Sequence, residues 1–85
     1  MIAKKVPIEG SGKGEQGWFT VNQANVSYDH PFHIRQEHAL NIDFVNEELG
    51  LGARVGVELS EQAARALVKT IQAVLNQAEL EGHLD

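Results

Sequence analysis

Apolar and polar positions alternate in short stretches through the first 59 residues, then recur at helical spacing. Ile2, Lys4, Val6 and Ile8 share one parity with Pro7 on the other, which predicts an edge strand because proline cannot donate to a sheet ladder. From Trp18 to Asp29 the apolar residues switch from odd (Phe19, Val21) to even (Ala24, Val26, Tyr28) positions. Side chains alternate faces with period two, so the switch predicts a second strand with a β-bulge near Asn22 or Gln23. His38 to Val45 reads as the third strand, with Leu40, Ile42 and Phe44 inward and Asn41 and Asp43 outward. Asn46 to Gly52 is a turn, and Ala53 to Leu59 a fourth strand with Val55, Val57 and Leu59 on one face. Ser60 is placed to cap a helix over residues 60–80. Its apolar stripe is Ala64, Leu67, Val68, Ile71, Val74, Leu75 and Ala78. Gly82 stops it, leaving residues 82–85 as a frayed tail.

The order β-β-β-β-α predicts an α+β fold: a four-stranded antiparallel meander with one C-terminal helix packed on one face. Residues 9–17 (EGSGKGEQG) read as a mobile glycine-rich loop. Its Gly-Lys pair lacks the spacing and flanking elements that cradle a phosphate. The sheet's outer face is expected to show Asn25, Ser27, Asn41, Asp43, Val45, Arg54 and Glu58, mostly polar as in a sheet wet on one side.

Register then decides the fate of the histidines. Three of the chain's four fall between His30 and His38. Placing Val26 and Tyr28 on the same face as Leu40 and Ile42 favours the pairs Tyr28–Leu40, Val26–Ile42 and Ala24–Phe44. That phase sets His30 opposite His38 at the end of the ladder, with residues 31–37 as the connection and His33 on it. A slip by two residues would oppose Asp29 to Glu37, which like-charge repulsion disfavours.

Eighty-five residues make one domain, 1–85, and a chain this short buries only about 60–65% of its unfolded surface. With no cysteine, neither disulfides nor thiolate metal sites can support the core, so self-association is expected to supplement it. The net charge of −5 repels phosphate backbones, and no basic stripe offsets it; nucleic acid is excluded as a partner. No apolar run has membrane-spanning length and no secretory signal opens the chain, so the expected location is cytoplasmic.

No motif in the chain fixes a reaction or a ligand. Candidate ligand-binding residues are His30, His33, His38, Glu37, Tyr28 and Trp18, around a concavity between the histidine hairpin and the glycine loop. The expected role is a non-enzymatic, homo-oligomeric binding module that takes no cofactor, with a small-molecule ligand as one option. The first alternative is a small enzyme, either metal-dependent through His30, His38 and Glu37, or metal-free with a carboxylate-oriented histidine. The second is a structural subunit of a larger assembly. No catalytic residue can be assigned.

The run Tyr28-Asp29-His30-Pro31, Glu37-His38-Ala39-Leu40 with Ile42-Asp43-Phe44, and Arg54-Val55 with Val57-Glu58-Leu59-Ser60 resembles a group of small bacterial proteins classed as a domain of unknown function. Gly10-Ser11-Gly12-Lys13-Gly14 and Gly17-Trp18-Phe19 fit the same pattern. The resemblance implies a bacterial cytoplasmic origin and carries over no functional residue.

Overall fold

The computed structural model describes residues 2–85. It contains β1 (Ile2–Gly14), β2 (Gly17–Asp29), β3 (Ala39–Val45), β4 (Arg54–Leu59) and α1 (Glu61–Leu80), with a 3-10 turn at Glu47–Leu49. The strands form one antiparallel sheet in the order β1-β2-β3-β4, and the helix follows, so the fold is α+β. No described helix is long and apolar enough to cross a membrane.

The apolar face is a set of rows running across all four strands: Ile2–Tyr28–Leu40–Leu59, Lys4–Val26–Ile42–Val57 and Val6–Ala24–Phe44–Val55. Lys4 is the one charge in these rows, and it sits on an edge strand, where a lysine discourages further pairing.

The expected mobile loop at 9–17 is corrected: β1 runs on to Gly14 and pairs with β2 through a two-residue turn. Gly12 and Gly14 in it serve close approach rather than flexibility. A Cβ on Gly12 would lie 3.1 Å from Val21 Cγ2 and 3.5 Å from Val55 Cγ2. The far half of the hairpin therefore bends over the start of β4, and a side chain at position 12 would press on Val21 where the two meet. The bulge is also relocated. Pro7 and Gly10 pair with Gln23 and Val21, so the additional residue lies in β1, where Ile8 and Glu9 face Asn22. The parity switch in β2 marks the right level of the ladder but not the strand that absorbs it.

Helix ends follow the sequence signals. Ser60 accepts from the Ala63 N–H at 3.2 Å. At the other end Gly82 has φ +74°, with His83 N–H bonded to Ala78 O and Gly82 N–H to Glu79 O, a Schellman stop. The packing differs from expectation. Only Ala64 of the helix is buried, and the helix meets β3 and β4 near its first turns. Leu67, Val68, Ile71, Val74 and Leu75 remain 42–66% exposed. A single residue, Ser60, joins β4 to α1, so the helix leaves the sheet at its end row instead of folding back across it.

The result is an open chain. Its accessible surface is 7042 Å², whereas a compact monomer of 9.3 kDa exposes about 5,000 Å². Its radius of gyration is 14.5 Å, against about 12 Å for a compact domain of this length. Among the described residues the buried apolar ones are Val21, Ala24, Ala39, Ala53 and Ala64, and no large side chain is fully enclosed.

Candidate functional site

Strands β2 and β3 pair as the apolar match predicts: Tyr28 with Leu40, Val26 with Ile42, Ala24 with Phe44. The ladder ends at Asp29–Ala39, and just beyond it the two imidazoles meet. The His30 and His38 rings stack with centroids 4.8 Å apart, and Tyr28 stacks on His38 at 5.8 Å. The two imidazoles lie beyond the ladder's last pair and join the end row of the apolar face through Tyr28.

His30 Nδ1 lies 2.8 Å from the main-chain oxygen of Glu37. A carbonyl oxygen only accepts, so Nδ1 carries the hydrogen, and in the neutral ring Nε2 keeps its lone pair. The His30 N–H in turn donates to Asp29 Oδ1 at 2.8 Å. Glu37 thus contributes its main chain, not its carboxylate, to the cluster. Among the described residues no three His, Asp or Glu side chains converge so as to hold a metal ion, so the three-ligand set His30, His38 and Glu37 is not assembled.

His33 is held by another anchor. The Glu58 carboxylate accepts three consecutive main-chain N–H groups, from Phe32 (2.7 Å), His33 (2.9 Å) and Ile34 (3.1 Å). His33 Nδ1 lies 3.5 Å from the same carboxylate. Glu58 pairs with Asn41 on the polar face, so the loop folds over that face and places His33 there. His33 borders a polar cleft together with His30, Asp29, Asn41, Asp43 and Arg54, where Arg54 and Asp43 form an ion pair at 2.8 Å. Phe32 is 92% exposed and does not join the core.

These donors, the Phe32 N–H foremost, hold the Glu58 carboxyl below its ordinary range against the opposing effect of burial. A depressed folded-state pKa means the clasp stabilises the fold above the ordinary Glu value of about 4.3 and is lost as pH falls through the lower folded value. Amide exchange is therefore expected to show residues 32–34 protected at neutral pH and released on acidification. Glu58→Gln, which cannot offer two anionic acceptors, should expose the same three amides at every pH while leaving β2–β3 protection intact.

Trp18 is placed elsewhere. It is 71% exposed and lines a separate depression with Gly14, Gln16, Phe19, Leu49 and Ala53. Trp18 and the stacked rings belong to opposite ends of the 13-residue β2, about 30–40 Å apart along an extended strand, so the expected concavity uniting them does not exist. The rings border two grooves instead: Tyr28 lines one at the helix root with Leu40, Glu61, Ala64, Arg65 and Val68, and His30 lines the polar cleft on the other face.

Two anchoring residues escape a reading of the sequence. Asn46 is the one buried polar residue among those described. Its Oδ1 caps the 3-10 turn through Glu48 N–H (3.1 Å) and takes a bond from Asn22 Nδ2 (3.3 Å), while Nδ2 donates to Thr20 O at 2.9 Å. An asparagine directly before two glutamates is a capping signal that could have marked it. Glu58 carries no such signal, because its donors are main-chain groups 24–26 residues away.

The chain belongs to the family of unknown function DUF6295, whose family model matches residues 1–84. No curated protein and no solved structure matches it.

Proposed function

We propose that this member of the family acts as a homo-oligomeric binding module, not as a self-sufficient enzyme. One observation carries the reading: a helix and a sheet each present an apolar face, and neither covers the other. The excess surface of about 2,000 Å² per chain matches what each partner gives up in an obligate homodimer. Single exposed apolar residues are ordinary, but contiguous faces of this extent mark association. Tyr28 belongs both to the ring stack and to the groove at the helix root, so the stack of Tyr28, His38 and His30 is the ligand-facing edge of the module.

Mass action supplies the test. If folding and association are one process, the thermal midpoint rises with protein concentration. Unfolding followed between about 1 and about 100 µM should show that rise; a midpoint independent of dilution contradicts the proposal.

A further inference from the structure

We infer that the helix of each chain lies across the apolar sheet face of a second copy, so that two chains exchange helices about a twofold axis. The inference deepens the self-association reading and rests on it. Each chain has one uncovered helix stripe and one uncovered sheet face, and packing one on the other is the standard two-layer way to bury both. Within a chain the pairing is not made. The Ser60 link sends the helix off the Leu59 end of the sheet, and only Ala64 becomes buried. In a symmetric pair, each helix finds its missing sheet on the partner and the contact is used twice.

The shape of the stripe selects a sheet rather than another helix as its cover. Ala64, Val68, Ile71, Leu75 and Ala78 follow the four-three spacing of a coiled-coil seam, but Leu67 and Val74 widen it to three apolar positions per heptad. A stripe that broad faces a core, whereas a two-stranded seam is narrower. Dimensions agree: twenty residues make a helix about 30 Å long, enough to cross four strands spaced about 4.8 Å apart. The face it would meet bears a single charge, Lys4, on the outermost strand.

The absence of cysteine makes the geometry directly testable by cross-linking. One chain carries Leu75→Cys, far from the helix root; another carries Ile42→Cys, at the centre of the sheet face. Circular dichroism and sedimentation first verify that each variant keeps the parent's fold and mass, with Val74→Cys and Val26→Cys held as replacements. After mixing, exchange and treatment with a short bismaleimide, the expected product is the mixed species, a shift from 9.3 kDa to twice that mass. A double-cysteine chain that links within itself and stays at 9.3 kDa overturns the inference, because the helix then covers its own sheet. Linking of Leu75→Cys chains to each other in place of the mixed product overturns it as well, in favour of helix against helix. A dimer by mass that gives no mixed product overturns the helix exchange but leaves the self-association reading standing; a monomer overturns both.

Discussion

Ile71→Glu is expected to turn the dimer into a monomer, weakening association about a thousandfold or more. Ile71 lies in the middle of the exposed stripe, half-open in the single chain. Covering the exposed half of such a side chain is worth about 1 kcal/mol, and a twofold assembly loses it at two sites. That alone amounts to about 2 kcal/mol, or between one and two powers of ten in Kd at about 1.4 kcal/mol each. The carboxylate adds the cost of desolvating a charge with no partner. Ala73→Glu makes the same change in charge on the opposite side of the helix and should leave the mass unaltered. Sedimentation of the two variants side by side separates loss of an interface from a general effect of charge.

Asn46→Ala is expected to destabilise the fold by about 3 kcal/mol, read as a shift in the urea midpoint at fixed protein concentration. The substitution strips the cap from the Glu47–Leu49 turn, worth about 1 kcal/mol, and removes the part-buried bonds to Thr20 O and from Asn22 Nδ2, worth about 0.5–1.5 kcal/mol each. Asp in the same place keeps the cap to Glu48 but cannot donate to Thr20 O, and it aims a carboxylate at a carbonyl oxygen. Asn46→Asp should therefore be no milder than Asn46→Ala. If it were fully stable, the Thr20 bond would be irrelevant and only the cap would matter.

Much of this fold is legible because local chemistry and burial pattern agree. Alternation in β3 and β4 and the helix caps at Ser60 and Gly82 all act within a few residues of the signals that reveal them. The meeting of His30 and His38 was readable for a related reason: matching Val26 and Tyr28 to Ile42 and Leu40 admits one good pairing phase, and that phase carries the histidines with it. What escaped depends on long-range geometry. Glycines at 10, 12 and 14 look like a flexible loop in sequence, yet Gly12 and Gly14 permit one part of the sheet to touch another across more than 30 residues, as Gly12 does with Val55. Trp18 sits beside the glycines in the chain but at the far end of a strand from the rings. The loop bearing His33 crosses to the polar face because Glu58 captures three main-chain amides, a preference that side-chain patterning does not encode. The spacing predicts the apolar helix stripe, but the helix meets β3 and β4 only near its first turns and leaves Leu67 to Leu75 of that stripe exposed.

That last point is central, since the assembly, the role of the stripe and the predicted loss in Ile71→Glu all require a second copy. Sedimentation equilibrium of the unmodified chain at micromolar concentration tests it most directly. The expected mass is twice 9.3 kDa, holding on dilution until unfolding sets in. A species of 9.3 kDa that still unfolds cooperatively would contradict the account, because such a chain would have to bury its helix and sheet faces against each other.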